Sequence, residues 1–274
     1  MGYAAAVVLG VVQGLTEFLP VSSSAHLILA RVFFGWDADQ LGLSFDVACH
    51  VGTLLAVVAY FRADLLAMAR AVPGLLRAPQ WPAAGPGRRL RLVAVGTLPI
   101  VVVGPFMAGR VEEALRTPWV AAATLAGVAV LFLVVERIGA RTQGEESISA
   151  AGALAIGTAQ AMALVPGVSR SGATITTGMF MGLRRDAAAR FSFVLGVPAI
   201  LAAAGHEGLH LVRVGLTADQ AGVFLVGMSV SAVVGYAAIA YLLKYLVNHT
   251  LAVFAWYRIA LAAAAAFWLV TGRG

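Results

Sequence analysis

Long apolar stretches constrain the fold of this chain more than any other feature. Six stretches are candidates for crossing a bilayer, at residues 47–62 (with a continuation to 72 left open), 91–109, 119–138, 187–205, 219–243 and 250–271. A spanning helix needs about 20 mostly apolar residues. Hydrophobic residues make up 61% of the sequence and charged residues 12%, which is more apolar surface than a soluble domain can bury. The sequence therefore predicts an all-α polytopic membrane protein rather than a soluble enzyme.

Two further apolar regions are interrupted in the middle. Region 3–34 breaks at residues 20–24, and region 150–182 breaks at residues 166–172. The arms on either side are short for a membrane span, and the breaks contain proline, glycine and hydroxyl side chains. This pattern favours re-entrant helical hairpins that enter the bilayer and turn back. The alternative is a chain of eight to ten simple spans without hairpins.

The two interrupted regions form a faint internal repeat. At an offset of 147 residues, the matching pairs are Gln13 with Gln160, Ser22 with Ser169 and Ser24 with Ser171. We therefore expect a single membrane domain over 1–274, with halves at 1–140 and 147–274 that each contain one hairpin and three spans. Three is odd, so the second half enters the membrane upside down. The prediction is six transmembrane helices plus two re-entrant hairpins in an inverted repeat, with a site where the broken helices meet.

Basic residues predict the orientation of the chain in the membrane. The net charge is +6, and twelve of the Arg and Lys residues fall on the side of the 73–91 loop, against five on the other side. The positive-inside rule makes that loop cytoplasmic and places both termini outside. The first hairpin then enters from outside and the second from inside. Because the basic residues are spread between apolar stretches, no nucleic-acid partner is expected.

Glu17 is an ionisable residue at membrane depth, which makes it a functional candidate. Gln13 lies four residues earlier, so both side chains share one face of a helix and can address one cation or phosphate-bound metal. A protonated Glu17 bonded to a helix neighbour is the structural alternative.

Three hydroxyls and a histidine follow the first break, at Ser22, Ser23, Ser24 and His26. One serine suffices to cap the next helix, so three consecutive hydroxyls exceed what capping needs. His26 lies one turn after the first two serines. This arrangement favours a nucleophile with its base, or a general acid near a leaving oxygen, over a packing histidine.

The second break carries Ser169, Arg170 and Ser171, with Thr174 one turn later. Arginine offers a fixed charge and a planar set of donors that suit phosphate oxygens. Backbone N–H groups at the same helix start point toward the same anion. The pattern predicts a phosphate site, and its structural alternative is an ion pair between Arg170 and Glu17.

Residues 206–210 spell the zinc-protease pattern H-E-x-x-H. That pattern needs a helix and a third ligand, whereas here it contains Gly208 and is expected in an outside loop, so we interpret it as chance. The sequence alone assigns no role to Asp46, His50 or Arg258.

Three motifs together resemble the bacterial undecaprenyl-diphosphatase family, also called the bacitracin-resistance phosphatases. They are Gln13-x-x-x-Glu17, the stretch 18–27 and the stretch 166–174. The resemblance covers essentially the whole chain. It implies a multi-pass enzyme of the bacterial inner membrane that removes one phosphate from undecaprenyl diphosphate, recycles the lipid carrier for peptidoglycan synthesis and confers bacitracin resistance. It also implies a divalent cation, Mg²⁺ or Ca²⁺.

Residue roles follow from the resemblance by position. Gln13 and Glu17 match the first motif, Ser22, Ser23 and His26 match the catalytic serines and histidine, and Ser169, Arg170, Ser171 and Thr174 match the phosphate-binding motif. Gln13 is neutral, which leaves Glu17 as the only carboxylate in the predicted core and as the metal ligand.

The expected mechanism places a Glu17-bound cation, Arg170 and the surrounding hydroxyls, including Ser24, around the diphosphate. His26 is the general base or acid, and the attack comes from Ser22, Ser23 or a water. We expect the site to face the periplasm. The sequence is compatible with a monomer or a homodimer. The rival function is a lipid or anion translocator without chemistry, since transporters also use inverted repeats with broken helices.

Overall fold

The computed structural model describes residues 2–36, 42–77, 81–110, 114–215 and 217–271, and helices connected by short turns and loops make up most of them. These residues contain eleven α-helices, and their only extended pairing is an isolated bridge between Gln143 and Leu183. The helices are α1 Tyr3–Phe18, α2 Ser23–Phe34, α3 Gly42–Tyr60, α4 Arg62–Arg77, α5 Gly85–Arg110, α6 Pro118–Ile138, α7 Ala150–Met162, α8 Arg170–Phe180, α9 Arg185–Val214, α10 Ala218–Asn248 and α11 Ala252–Val270. The predicted all-α class is confirmed.

Five of these helices are long and apolar enough to cross a membrane, namely α5, α6, α9, α10 and α11. A sixth candidate is the pair α3 and α4, which are bent by 81° where they meet. The first apolar stretch therefore does not continue straight to residue 72. The charges on α4 account for the bend, since Asp64 pairs with Arg89 at 3.0 Å and charged side chains are costly in the bilayer core.

Large apolar side chains cover much of the outer surface of the helices. Phe106 on α5 is 76% exposed, Val233 on α10 is 73% exposed and Phe267 on α11 is 72% exposed. A soluble protein rarely exposes apolar surface on this scale, so these faces require an apolar solvent. The chain is a multi-pass membrane protein.

The two predicted breaks lie between α1 and α2 and between α7 and α8, and they have the same local geometry. Ser22 caps α2 with φ 75°, and Ser169 caps α8 with φ 72°. The Ser22 hydroxyl accepts a hydrogen bond from the Ala25 N–H, and that of Ser169 accepts one from the Gly172 N–H. A positive φ at a non-glycine residue costs of order 1–3 kcal/mol, so the surrounding structure must hold both turns.

The short helices α1 and α7 each pack closely on a span from the other half of the chain. Gly10 on α1 lies against α10, where an added Cβ would come 2.8 Å from the carbonyl oxygen of Gly227. Gly157 on α7 lies against the carbonyl of Gly96 on α5 in the same way. Small residues at such crossings allow helix backbones to approach. Gly10 and Gly157 are separated by the same 147 residues that relate the two breaks.

Arg258 on α11 is fully buried and joins the two breaks. Its guanidinium donates to the carbonyl oxygen of Pro20 in the first break at 3.2 Å and to that of Gly167 in the second at 2.8 Å. The same group reaches carbonyl oxygens of α6 and stacks on the ring of Phe132 at 5.2 Å. One side chain thereby fixes both turns against the bundle.

Candidate active site

A pocket of about 220 Å³ lies where the two breaks meet. Its polar lining consists of Glu17 and residues 22–24 from the first break, Ser169 and Arg170 from the second, His50 from α3 and Gln160 from α7. Apolar side chains of α3, α5, α9 and the turn that follows α7 complete the wall. The structure thus brings together residues that are far apart in sequence, as the predicted meeting of the broken helices requires.

Glu17 is the centre of the polar contacts in this pocket. One carboxylate oxygen accepts a hydrogen bond from Arg170 at 2.7 Å, and the other accepts from Ser23 at 2.8 Å and from the Gln13 amide at 3.0 Å. The Glu17 side chain is only 5% exposed. A buried carboxylate needs this combination of a counter-ion and hydrogen bonds to offset its lost hydration. The ion pair between the two breaks is therefore present, and it lies in the pocket wall.

The three serines of the first break have different partners. Ser23 is the one whose hydroxyl bonds to Glu17. Ser22 is 1% exposed, and its hydroxyl caps α2. Ser24 accepts a hydrogen bond from the Gly167 N–H at 3.4 Å and so links the two breaks. Sequence reasoning could not separate these three roles, because they depend on which way each side chain leaves the turn.

The hydroxyls of the second break are divided in the same way. Ser169 lines the pocket beside Arg170. Ser171 donates to the carbonyl oxygen of Leu19 at 3.3 Å, and Thr174 donates to the carbonyl oxygen of Arg170 at 2.7 Å. Ser171 and Thr174 therefore stabilise the turn and do not belong to the pocket lining.

His26 contacts the backbone of the first break but does not line the pocket. Its Nδ1 lies 2.7 Å from the carbonyl oxygen of Ser22, and its Nε2 lies 2.7 Å from the hydroxyl of Tyr257. In a neutral imidazole the first contact makes Nδ1 the protonated nitrogen, so Nε2 accepts from the tyrosine. The ring faces a separate apolar groove of about 370 Å³ whose wall includes Phe33 and Trp268.

His50 is the histidine inside the pocket, and sequence reasoning gave it no role. Its Nδ1 lies 2.8 Å from the amide nitrogen of Gln13 and 3.3 Å from the nearer carboxylate oxygen of Glu17. The side chain is 32% exposed, so it remains accessible from the pocket. In the sequence, His50 is marked only by being an imidazole within an apolar stretch. It lies 37 residues from Gln13, so the sequence does not reveal their contact.

Gly196 on α9 leaves the space that the Arg170 guanidinium occupies. A Cβ at this position would collide with Nη1 of the guanidinium. Nη1 is buried and has no hydrogen-bond partner among the described residues. A glycine inside an apolar helix gave no hint of this contact in the sequence.

The zinc-protease pattern at residues 206–210 lies inside α9, so the expectation of a loop there is wrong. Glycine in a helix interior costs only about 1 kcal/mol, which packing can offset. Glu207 accepts a hydrogen bond from the hydroxyl of Ser44. Within the described part of the chain, no three His, Cys, Asp or Glu side chains form a group that could hold a metal ion.

Comparisons with known proteins agree over nearly the whole chain. The family model described as "Bacitracin resistance protein BacA" matches residues 6–264. A relative from Rubrobacter xylanophilus, named "Undecaprenyl-diphosphatase", is 51% identical over 94% of this chain and 95% of its own length. Relatives of the same name from Nitrosococcus oceani and Hahella chejuensis are each 45% identical, over 93% and 96% of this chain and 94% and 97% of their own lengths. The chain belongs to the bacitracin resistance protein BacA family.

Proposed function

We propose that this protein hydrolyses undecaprenyl diphosphate to undecaprenyl phosphate and inorganic phosphate. The product is the lipid carrier for peptidoglycan synthesis, and its recycling would confer bacitracin resistance. One observation carries the proposal: a carboxylate, a hydroxyl and a guanidinium, those of Glu17, Ser23 and Arg170, meet in one pocket inside an apolar bundle. The family membership and the shared name of the relatives support it.

Arg170 is the group that binds the terminal phosphate in this proposal. Its Nη2 is held by Glu17, and its Nη1 is free to donate to a phosphate oxygen. Ser24 and Ser169 line the same pocket. The N-termini of α2 and α8 add partial positive charge beside these donors, which favours an anion.

Ser23 is the hydroxyl whose position suits the reaction. Because it donates its proton to Glu17, its oxygen gains electron density, as a nucleophile needs. Attack by the Ser23 oxygen forms a bond to the terminal phosphorus and breaks that atom's bond to the bridging oxygen, which leaves with undecaprenyl phosphate. A water then hydrolyses the resulting phosphoserine, which releases inorganic phosphate and restores the serine hydroxyl. Alternatively, a water oriented by Ser23 would break the bond to the bridging oxygen directly. In either case most of the catalysis comes from positioning and charge stabilisation.

We propose His26 as the general acid or base. Its support is the hydrogen bond to the Ser22 carbonyl, which connects the ring to the turn that presents Ser23. Tyr257 would have to release Nε2 for this role. His50 is a second candidate, favoured by its direct contact with Glu17 inside the pocket.

A divalent cation, Mg²⁺ or Ca²⁺, belongs to the proposal as a partner of the diphosphate. The oxygen Oε1 of Gln13 is buried and unpartnered within the described residues, and the Glu17 carboxylate lies one turn away. Hard cations prefer such oxygen ligands and often take the rest from phosphate and water. Glu17, with Gln13, would hold the ion, and the ion would neutralise phosphate charge.

The membrane arrangement in this proposal is six spans with two re-entrant hairpins, as an inverted repeat of 1–140 and 147–274. The equal cap geometry of Ser22 and Ser169 and the matched glycine crossings support it. We place the protein in the bacterial inner membrane with the pocket open to the periplasm, as the distribution of basic residues favours.

Phosphate release from undecaprenyl diphosphate by the protein purified in detergent tests this function. Wild type should release phosphate, whereas Glu17→Ala and Arg170→Ala should not, because each removes one half of the central ion pair. Retained activity in either variant would contradict the mechanism. A wild-type protein that moves the lipid across vesicles without releasing phosphate would favour the translocator instead.

A further inference from the structure

Gln160 on α7 is a buried polar side chain that nothing in the proposed reaction uses. It is 1% exposed and lines the pocket, and neither of its amide atoms has a hydrogen-bond partner among the described residues. Leaving a buried polar group unpaired costs about 1–3 kcal/mol, and native proteins rarely accept that cost without a reason. Because Gln160 belongs to the pocket lining, its unpaired amide suggests that a ligand supplies the missing partner.

The matching residue in the first half shows what is different about Gln160. Gln13 lies 147 residues earlier, and its amide nitrogen is engaged by Glu17 and His50. The position that corresponds to Glu17 in the second half is Leu164, which also lines the pocket. Because the second half offers no carboxylate there, the amide of Gln160 has no such acceptor among the described residues. It is left available to a molecule in the pocket.

The surroundings of Gln160 select an anion as that molecule. Arg170 and Ser169 line the same pocket, and α8 begins there, so the partial positive charge of its N-terminus lies beside them. An amide nitrogen adds two neutral donors to this group of donors. We propose that Gln160 is a substrate-binding residue whose amide N–H donates to a phosphate oxygen of the diphosphate. The identity of the lipid rests on the proposed function, but the binding of a diphosphate does not require hydrolysis.

Substitutions that keep the length of the side chain test this role. Gln160→Met removes both donors and also removes the unpaired buried atoms. The KM for undecaprenyl diphosphate should rise on the order of 10-fold or more, as expected for a lost hydrogen bond to a charged group, while the melting temperature stays the same or rises. Gln160→Glu should raise KM further, since it brings a carboxylate toward the phosphate. Thr158→Val is the matched control, because Thr158 is on the exposed face of α7 and its hydroxyl donates to the carbonyl oxygen of Leu154 in the same helix.

A second measurement does not depend on turnover. Inorganic diphosphate should raise the melting temperature of the wild type and of Thr158→Val, and should raise that of Gln160→Met and Gln160→Glu much less. Normal KM and normal protection in both Gln160 variants would overturn the inference. A lower melting temperature of both variants without ligand would also overturn it, because Gln160 would then serve packing. Tighter Mg²⁺ binding by Gln160→Glu with an unchanged KM would overturn it as well, because Gln160 would then be a cation ligand.

The two proposals can fail separately. A wild-type protein that releases phosphate while the Gln160 variants behave normally would overturn the role of Gln160 alone. A wild-type protein that binds diphosphate through Gln160 but releases no phosphate would overturn the hydrolytic function and support the inference.

Discussion

Ser22 and Ser23 are adjacent in the chain but bond to different groups, and substitution should separate them. Ser23 donates to Glu17 at 2.8 Å, whereas Ser22 caps α2. We expect Ser23→Ala to lower kcat by about 100-fold or more, as for a lost catalytic group, with an unchanged melting temperature. Ser22→Ala should lower the free energy of unfolding by about 1 kcal/mol through the lost cap. Phosphate release and thermal unfolding in detergent measure both, and equal kinetic losses without destabilisation would contradict this division.

His26 and His50 compete for the role of proton donor or acceptor. If His26 acts as proposed, His26→Gln should remove one limb of the pH dependence of kcat, because that limb reports the essential acid or base. His50→Gln should mainly raise KM, since His50 contacts Gln13 and Glu17 inside the binding pocket. The two pH profiles provide the measurement. Loss of the limb only in the His50 variant would transfer the role to His50.

At the scale of the helix, α9 controls the site through one glycine. In Gly196→Ala the new methyl group would collide with the guanidinium of Arg170 and move it away from Glu17. We expect kcat/KM to fall by about 100-fold, which is the order of loss that a misplacement of about 1 Å can cause. Gly205→Ala on the same helix is the matched control, because an added Cβ there meets nothing within 4 Å. It should leave kcat/KM unchanged and the helix slightly more stable.

Equal losses of kcat/KM in the Gly196 and Gly205 variants would mean that helix flexibility, rather than the Arg170 contact, sets the rate. Unchanged kinetics in Gly196→Ala would mean that the guanidinium finds its position without that space.

For the whole molecule, the sequence predicts those features that depend on residues close together in the chain, and it misses those that depend on contacts between distant helices. Glu17 and Arg170 stand out because each is a charge inside an apolar stretch, and the breaks stand out because proline and serine interrupt the apolar residues. The roles of His50 and Gly196 depend on helices that meet only in the folded bundle. The glycine within residues 206–210 favours a loop there, and the packing of α9 overrides that local preference.

Arg258 connects the two breaks to the helix bundle, so its substitution should affect the stability of the entire fold. Its planar guanidinium donates to carbonyl oxygens of both breaks and of α6, over as many as 238 residues of sequence. Lysine carries its donors on a single nitrogen and cannot reach that set. Each buried carbonyl left without a donor costs about 1–3 kcal/mol, so Arg258→Lys should lower the free energy of unfolding by several kcal/mol and abolish phosphate release.

Arg184→Lys is the control for this substitution. Arg184 is 53% exposed and pairs with Asp186 at 3.2 Å, and such surface pairs contribute about 0–1 kcal/mol. Thermal unfolding in detergent should therefore separate the two variants clearly. If Arg258→Lys melted like Arg184→Lys and kept its activity, the two breaks would have to be held by the Glu17–Arg170 ion pair and the contact from Gly167 to Ser24 instead. In that case Arg170→Ala, rather than Arg258→Lys, would be the variant that destabilises the fold.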